Sequence, residues 1–326
     1  VTIQNDKLGN ISGEKYTNPF GITAIKDGMK KTFDASVNGR RRKPEWLKVQ
    51  LPTGTHYKTL LKDVKAHGLN TVCQESKCPN IGECWNRSTA TLMILGNICT
   101  RACRFCAVDT GNPKGWIDPS EPNNVAKAVS LMELNYMVLT SVDRDDLPDG
   151  GARHIAHCVT QIKAKNPNVL IEVLSPDFSG STASLDLLLQ SELDVFSHNI
   201  ETVERLTSLV RDPRAGYRQS LDVLMHAYEK NMITKSGMML GLGETDDEIT
   251  ATLRDLRSVG VSLMTLGQYL QPTKYHLDVN RFVSPVEFDR YKEIGLGMGF
   301  KEFVAGPLVR SSYRAEQSFL NLVNRV

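Results

Sequence analysis

Short apolar runs alternate with helical patterns over most of the chain, from about residue 90 to about residue 291. The runs are TLMILG, YMVLTSV, VLIEVL, DVFSHNI, GMMLGLG and LMTLGQYL. Apolar residues at helical spacing follow each of them, as Val125, Val129 and Met132 follow the first. Continuous apolar runs of this length are typical of buried strands, and the spacing after them is typical of amphipathic helices. The pattern therefore predicts six strand-helix units.

Strands that are apolar throughout are expected where helices cover both faces of a sheet, and strand-helix alternation predicts parallel strands. Six units are fewer than the eight of a closed TIM barrel, so an open partial barrel and a doubly wound sheet remain alternatives. In either fold, chemistry is expected at the carboxyl ends of the strands. Unusual segments follow the strands there, at residues 99–106, 141–149, 175–178, 198–201 and 241–244.

Two local signals refine this picture. Thr245 and Glu248 have the spacing of a capping box, which predicts a helix start just after Gly243. By contrast, residues 1–44 are polar and lack sustained periodicity, which predicts a loosely ordered arm. The arm ends in the basic run of residues 40–43, which we interpret as a solubilising run rather than a docking site.

Composition indicates an ordinary globular protein without a strong electrostatic field. The 326 residues are 40% hydrophobic and 23% charged, and 39 basic against 37 acidic residues give a net charge of +2. That balance does not favour a nucleic-acid or membrane partner. The chain has neither a signal-peptide pattern nor an Arg-rich, acid-poor presequence, which predicts a cytoplasmic protein of bacterial type. Because it begins at Val1, a removed presequence and a mitochondrial matrix location stay open as the alternative.

Six of the seven cysteines lie between residues 73 and 106, a crowding that favours metal binding over disulfides. Cys99, Cys103 and Cys106 follow the first predicted strand with three and two residues between them. Three thiolates from one loop can hold three irons of a 4Fe-4S cluster and leave the fourth open to another ligand, so that it can take part in chemistry. A zinc site would normally have four ligands in close pairs, and an electron carrier would normally have a fourth cysteine.

A second group comprises Cys73, Cys78 and Cys84, separated by four and five residues. This spacing is too wide for a zinc knuckle and predicts a second cluster, and the polar residues 75–77 between them argue against buried free thiols. Cys158 lies in a helical pattern with apolar neighbours. We interpret it as a small buried hydrophobic residue rather than a ligand.

Other residues at the strand ends have weaker claims to a function. The acidic segment with Asp143, Arg144, Asp145, Asp146 and Asp149 either binds the cofactor or orders the mouth of the site, and the alternative is a solvated charged loop. The segment with His198, Asn199 and Glu201 is either a cofactor contact or a satisfied structural network. Gly241 and Gly243 form a lone G-x-G without the third glycine of a dinucleotide fingerprint, which argues against NAD.

The C-x3-C-x2-C loop after the first strand of a strand-helix repeat resembles the radical S-adenosylmethionine superfamily. The upstream C-x4-C-x5-C and the RSSY motif at residues 310–313 make the chain similar to the lipoyl synthases within it. The similarity runs from about residue 42 to residue 313 and includes TSVDRDDLPDGGA, SPDF, GLGET, TLGQYLQP and GPLVRSSY. It implies an α/β fold, a partial (β/α)6 TIM-like barrel at residues 89–300. An N-terminal cluster-binding extension at 1–88 and a C-terminal segment at 301–326 that closes the auxiliary cluster would flank it.

The resemblance also implies cofactors and their ligands. A 4Fe-4S cluster on Cys99, Cys103 and Cys106 would bind S-adenosylmethionine, with Asn199, Glu201, Gly241 and Gly243 as further contacts to that cofactor. An auxiliary 4Fe-4S cluster on Cys73, Cys78, Cys84 and Ser312 would supply its sulfide. The serine ligand follows from the resemblance alone, since a Ser-Ser pair near a chain end is usually solvated or capping.

The activity that the resemblance implies is insertion of sulfur at C6 and C8 of an octanoyl-lysyl group, with two S-adenosylmethionines consumed. The partners would be octanoylated lipoyl carrier domains, in 2-oxoacid dehydrogenase E2 subunits and the glycine cleavage H protein, and an electron donor such as ferredoxin or flavodoxin. Another two-cluster sulfur transferase, of methylthiolating or biotin type, is the nearest alternative. A non-catalytic iron-sulfur carrier and a zinc-binding module are the alternatives from other classes.

Overall fold

The computed structural model describes residues 11–30, 42–48, 70–71, 91–132 and 134–323. Within these ranges the strands are β1 Lys15–Thr17, β2 Thr23–Ile25, β3 Asn70–Thr71, β4 Thr91–Ile94, β5 Ile98–Cys99, β6 Asp109–Gly111, β7 Tyr136–Ser141, β8 Leu170–Leu174, β9 Val195–Ser197, β10 Ile233–Leu240, β11 Leu263–Gln268 and β12 Glu302–Gly306. The α-helices are α1 Glu121–Leu131, α2 Ala152–Lys165, α3 Thr182–Leu189, α4 Thr207–Val210, α5 Tyr217–Glu229, α6 Asp246–Ser258, α7 Pro285–Gly297 and α8 Ala315–Val323.

The main sheet is a partial barrel of mostly parallel strands. Its order is β12-β11-β10-β9-β8-β7-β4-β3, and every neighbouring pair is parallel except β3 with β4. In the described part of the chain β12 and β3 are the two edges, so the pairing does not close into a ring. The six predicted strands and their helices are confirmed, and a seventh parallel strand, β12, extends the sheet. Its pairing with β11 places residues 302–306 in the same sheet.

Alternation along the strands separates two apolar layers, because successive side chains point to opposite faces. One face of β7, with Met137 and Leu139, packs with the helices outside the sheet. The opposite face, with Tyr136 and Val138, packs in a separate cluster. Cys158 of α2 is fully buried in the outer layer, so its predicted burial is confirmed.

Helix α8 covers the inner face of the sheet at the amino ends of the strands. Phe319 of α8 contacts Tyr136, the first residue of β7, with ring centroids 5.9 Å apart. Val195 and Leu263, the first residues of β9 and β11, complete this cluster. Thus α8 fills the barrel interior at the amino ends of the strands, and the interior at the carboxyl ends is left for a site.

A small second sheet corrects the prediction that residues 1–44 form a loosely ordered arm. Its order is β1-β2-β6-β5, so the hairpin of β1 and β2 within residues 11–30 packs beside the segment that follows β4. Asp109 of β6 accepts a hydrogen bond from the Tyr16 hydroxyl (2.6 Å) and pairs with Lys26 (3.1 Å). The sequence pattern missed this hairpin because its partner strand lies more than 80 residues away. Local periodicity carries no signal from so distant a partner.

The predicted capping box is present at the start of α6. The Thr245 hydroxyl accepts from the Glu248 N–H, and the Glu248 carboxylate accepts from the Thr245 N–H. This confirms a strand-loop-helix order after β10. In the part of the chain that the structure describes, no helix combines the length and the apolar character needed to cross a membrane.

Candidate active site

The predicted three-cysteine loop connects β5 to β6. These strands pair in parallel, with Ile98 opposite Asp109 and Cys99 opposite Thr110. Cys99 is the last residue of β5, and Cys103 and Cys106 lie in the connection between the strands. Both ends of the loop are therefore fixed in one sheet, and its three thiols are carried by a short, defined segment.

The turn that leads into this loop contains a residue in the left-handed conformation, and hydrogen bonds fix both its N–H and its C=O group. Leu95 has φ of 64° directly after β4. Its N–H donates to the Glu121 carboxylate (2.8 Å), and its C=O accepts from the buried Arg144 guanidinium (3.3 Å). His154 contacts the same Glu121 oxygen at 2.7 Å. Since a positive φ is unfavourable for leucine, these bonds compensate for a strained turn that aims the chain at the cysteine loop.

Distant parts of the chain fix the backbone of the cysteine loop. The Ala102 N–H donates to Asp212 (2.9 Å), and the Arg104 N–H donates to the Val210 carbonyl (2.9 Å). The Cys106 carbonyl lies 2.9 Å from Nε2 of His276. The loop is thus connected to segments more than 100 residues away, and these contacts fix the positions of the thiols.

A charge network surrounds the first half of the loop. Arg101 is buried and donates to Asp145 (2.8 Å) and Asp177 (2.8 Å), and its guanidinium lies 3.4 Å from Asp143. Arg214 also pairs with Asp145 (3.0 Å). Burial raises the pKa of Asp143 to about 6 although Arg101 acts in the opposite direction. The network balances acids with guanidinium groups where a cofactor would meet the loop.

The remaining residues of the predicted acidic segment order the loop after β7. Arg144 pairs with Asp146 (2.7 Å) and also donates to the Trp116 carbonyl (2.8 Å). Asp149 accepts from the N–H groups of Gly151 (2.9 Å) and Arg153 (3.0 Å) at the start of α2. For Arg144, Asp146 and Asp149, the structure therefore supports a role in ordering the site rather than a solvated charged loop.

The three thiols are free and largely enclosed by protein. Burial raises the pKa of Cys103 to about 12 and that of Cys106 to about 11, and it also raises that of Cys99, where the nearby Asp143 adds to the effect. Backbone N–H groups of Arg101 and Asp212 donate to Cys99 (3.4 Å) and Cys103 (3.3 Å). Such thiols become thiolates when a bound metal supplies positive charge, since metal ligation requires the deprotonated form.

The sulfur positions suit a cluster better than a single ion. In the described ranges, Glu121, His154 and Cys158 form the set of possible ligands whose atoms all lie within 4.8 Å of one another, and the three loop sulfurs do not meet this limit together. Two sulfurs on one zinc ion lie at most about 4.6 Å apart, because each Zn–S bond is about 2.3 Å. The donor set therefore fits an iron-sulfur cluster with three thiolate ligands.

A large cavity opens beside the loop at the carboxyl ends of the barrel strands. Its volume is about 920 Å³, enough for a cofactor and a substrate segment together. The three cysteines line it with Asn199, Glu201, Lys43, Arg310 and Ser311. This is the edge of the sheet at which the sequence predicts chemistry.

Asn199 and Glu201 enter the cavity from the segment after β9. Burial raises the pKa of Glu201, and the Asn199 amide donates to this carboxylate at 3.1 Å. Glu201 has φ of 65°, and Oδ1 of Asn199 is buried without a hydrogen-bond partner among the described residues. A strained residue and an unsatisfied polar atom in one cavity are typical of a ligand site.

His198, in the same segment, forms a satisfied network instead. Its Nδ1 lies 2.9 Å from the Ser175 carbonyl, and its Nε2 lies 2.9 Å from the Ser220 hydroxyl, which accepts from Arg211 (2.8 Å). A carbonyl can only accept, so Nδ1 carries the proton and Nε2 accepts from Ser220. Burial and the charge of Arg211 lower the pKa of His198 to about 4, which keeps the ring neutral.

The glycine turn after β10 is closed on itself. Glu244 folds back and accepts from the N–H groups of Gly241 (2.5 Å) and Leu242 (2.9 Å). Gly241 has φ of 98° and packs against Gln268, which lines the cavity. Gly241 and Gly243 are not among the residues of the cavity wall. A contact of either glycine with a cofactor stays a prediction.

The structure describes some of the predicted ligands of the auxiliary cluster and not others. Cys73, Cys78 and Cys84 lie outside the described residues. Ser311 lines the cavity, and Ser312, the predicted ligand, is the next residue along the chain. Lys43, from the basic run interpreted as solubilising, also lines the cavity.

Arg101, Asp177 and Asp212 act in the site, but sequence reasoning did not single them out individually. Arg101 lies between two of the cysteines and Asp177 lies in the SPDF segment, so position could have indicated both. Asp212, in contrast, reaches the loop from the segment after α4. No local signal of the sequence marks it.

Comparisons with protein families agree with this site. Residues 93–256 match the radical SAM superfamily, and residues 21–78 match the N-terminal domain of lipoyl synthase of the radical SAM family. The chain is 56% identical over 312 residues to the lipoyl synthase of Marinobacter nauticus, with 94% of this chain and 89% of that protein covered. It is 57% identical over 310 residues to the lipoyl synthase of Ectopseudomonas mendocina, with the same coverage.

Solved structures show the same fold at low sequence identity. Methylornithine synthase matches with a TM-score of 0.50 and 11% identity over 72% of this chain and 80% of that one. Streptococcus suis SuiB bound to the precursor peptide SuiA matches with a TM-score of 0.52 and 9% identity over 76% of this chain and 52% of that one. At such identities the likeness supports the partial barrel and carries no information on the substrate.

Proposed function

Because the chain belongs to the lipoyl synthases, sulfurtransferases of the radical SAM superfamily, we propose that it inserts sulfur at C6 and C8 of a protein-bound octanoyl-lysyl group. The observation that carries this proposal is the rigid three-cysteine loop facing a cavity of about 920 Å³. When bound there, a 4Fe-4S cluster supplies the electron that cleaves S-adenosylmethionine and yields the radical able to break an unactivated C–H bond.

Cys99, Cys103 and Cys106 would hold this cluster, and the remaining iron would be open to S-adenosylmethionine. Asn199 has a buried amide oxygen free to accept a hydrogen bond from a ligand, and Glu201 offers a carboxylate in the same wall. These two residues would orient the cofactor. The Arg101 network keeps the loop from moving, so that the radical forms at a fixed place.

Cys73, Cys78, Cys84 and Ser312 would hold the auxiliary cluster that supplies the sulfur. Ser311, next to the proposed oxygen ligand, lines the same cavity as the three-cysteine loop, which supports placing both clusters around one substrate chain. A hard oxygen ligand binds a sulfur-rich cluster more weakly than a thiolate does. This suits a cluster that must be dismantled during turnover.

The cavity walls support an acyl substrate. Met93, Leu174, Met238 and Val309 line it, and these apolar side chains would pack against a fatty chain and exclude water from the reacting carbons. Two hydrogens leave the substrate and two sulfurs replace them, with two S-adenosylmethionines consumed. The carriers would be octanoylated lipoyl domains and the glycine cleavage H protein, and a ferredoxin or flavodoxin in the cytoplasm would deliver the electrons.

The proposal is tested by mass spectrometry of an octanoyl-lysyl peptide. The reconstituted protein is incubated without air with the peptide, S-adenosylmethionine and a strong reductant. We expect a product heavier by two sulfurs, or by two sulfurs less two hydrogens if it is oxidised. Release of 5′-deoxyadenosine with an unchanged peptide contradicts the proposed substrate, and no release from protein with intact clusters contradicts the radical mechanism.

Two cysteine variants separate the clusters. Cys103→Ser should abolish release of 5′-deoxyadenosine, because it removes a ligand of the cluster that binds the cofactor. Cys78→Ser should keep the release and stop sulfur insertion. Product formation by Cys78→Ser would show that the auxiliary cluster is not the sulfur source.

A further inference from the structure

Residues 307–314, here called the C-terminal strap, connect β12 to α8. Val309, Arg310 and Ser311 of the strap line the cavity. The Val309 N–H donates to the Gly306 carbonyl (3.1 Å), and the Tyr313 N–H donates to the Arg310 carbonyl (2.9 Å). The strap is therefore an ordered turn over the carboxyl ends of the last strands.

The strap backbone lies directly on Gly267 of β11. A Cβ atom added to Gly267 would lie 2.1 Å from the Val309 carbonyl oxygen and 3.4 Å from Nη1 of Arg310. Real Cβ contacts are not this short, and the closest atom belongs to the backbone, so it cannot rotate away. Only glycine at this position lets the strap approach the sheet so closely.

Both ends of the strap are fixed, so it cannot adapt by sliding. Before it, β12 pairs with β11 from Glu302 to Gly306. After it, Ala315 and Phe319 of α8 are buried in the cluster at the amino ends of the strands. A side chain at Gly267 would have to lift the middle of the strap rather than shift the whole segment.

We propose that Gly267 is a positioning residue whose missing side chain seats the C-terminal strap and thereby places Ser311 against the cavity and Ser312 directly after it. This inference rests on the proposed function for its chemical consequence. Gly267 does not take part in bond making. It sets where the segment with the proposed oxygen ligand lies relative to the substrate chain.

Three glycine-to-alanine variants place a Cβ at decreasing degrees of steric conflict with the strap. Gly267→Ala places a Cβ 2.1 Å from a backbone atom, and Gly306→Ala places one 3.3 Å from Cγ2 of Val309, a side chain that can yield. Gly297→Ala is the matched control, because a Cβ at that exposed end of α7 meets nothing within 4 Å. We expect hydrogen-deuterium exchange of residues 307–314 to rise most in Gly267→Ala, less in Gly306→Ala and not in Gly297→Ala.

The second readout is the amount of sulfur-containing product per 5′-deoxyadenosine released. Misplacement by about 1 Å can reduce a reaction rate by about 100-fold, so we expect this ratio to fall at least about tenfold in Gly267→Ala. A smaller fall is expected in Gly306→Ala and none in Gly297→Ala. If Gly267→Ala matches Gly297→Ala in both strap exchange and ratio, the proposal is wrong.

Exchange in α6 distinguishes a local from a global effect. If Gly267→Ala raises exchange in α6 as much as in the strap, the effect is global and the Gly306→Ala variant becomes the test. Increased exchange in the strap alone in Gly306→Ala supports the proposal. Strap exchange equal to that of Gly297→Ala overturns it. The ranking of the three variants by strap exchange is measured without substrate, so it tests the position of the strap even if the unmodified protein inserts no sulfur. Absence of sulfur insertion by the unmodified protein contradicts the proposed function instead.

Discussion

The two ends of the barrel interior are built from the same strands and yet differ in what fills them. At the amino end, Lys235 of β10 pairs with both oxygens of Glu172 (2.8 Å each), which also accepts from the Tyr136 hydroxyl (2.8 Å). Helix α8 then covers this layer. At the carboxyl end the cavity remains, with a strained Glu201 and an Asn199 oxygen that has no hydrogen-bond partner among the described residues.

The difference shows that groups important for stability and groups important for chemistry lie at opposite ends of the barrel strands. Buried charges at the amino end are fully paired, so removal of one partner affects the whole barrel. Polar groups at the carboxyl end are held by networks from distant segments and keep capacity for a ligand. Substitution of the paired charges at the amino end should therefore change the free energy of unfolding, and substitution of the groups that hold the cysteine loop should change cofactor handling.

The largest expected effect is at the amino end. Lys235→Met should lower the free energy of unfolding by about 3–5 kcal/mol, because Glu172 is left as a buried charge without its partner. Denaturant unfolding of this variant measures the loss. The double variant Lys235→Met/Glu172→Gln should recover part of it, and an unchanged unfolding midpoint in Lys235→Met would contradict the role of the pair.

His198 should make the carboxyl end sensitive to acid. Its pKa is lowered to about 4 in the folded protein, so the unfolded chain binds more protons between pH 6.5 and pH 4, and stability falls as the pH falls through this window. The loss from pH 7.5 to pH 5 should be about 2 kcal/mol from this group. Unfolding at both pH values should show a weaker dependence in His198→Gln than in the unmodified protein. Equal dependence would argue against a buried neutral ring.

Asp212 tests the charge support of the cysteine loop. Asp212→Asn keeps a hydrogen-bond acceptor for Ala102 but loses the charge paired with Arg214 (2.8 Å). We expect release of 5′-deoxyadenosine to fall about tenfold, comparable to about 1.4 kcal/mol of charge-assisted bonding. Asp186→Asn is the control, since its ion pair with Lys230 lies on the surface. Equal activity of the two variants would exclude a role for the Asp212 charge.

The smallest effect should come from a cap at the carboxyl rim outside the cavity. Thr245→Ala removes one half of the capping box of α6 and should lower the free energy of unfolding by about 1 kcal/mol. Release of 5′-deoxyadenosine should stay as in the unmodified protein at temperatures below the transition. A large loss of activity with unchanged stability would place this turn in the site, as the G-x-G motif predicts.

The sequence predicts those parts of the molecule that depend on local pattern. The parallel strands, the capping box at Thr245 and the three-cysteine loop follow from periodicity and spacing between near neighbours. The pairing of β2 with β6 and the hydrogen bond from Ala102 to Asp212 join residues about 85 to 110 positions apart, and such contacts leave no local trace. The C-terminal strap is predictable only in part. Its RSSY motif is visible in the sequence, but its contact with Gly267 is visible only in the folded sheet.

The position of α8 after the described strands of the main sheet has a consequence for biosynthesis. Each of these strands precedes residue 307, so a chain still attached to the ribosome can pair them before α8 covers the interior at their amino ends. Domains begin to fold during synthesis, and transiently exposed apolar surface makes incomplete chains prone to aggregation. Translation must therefore pass α8 before the barrel interior is covered at the amino ends of the strands, and a chain that stops after Gly306 would be a substrate for chaperones and proteases.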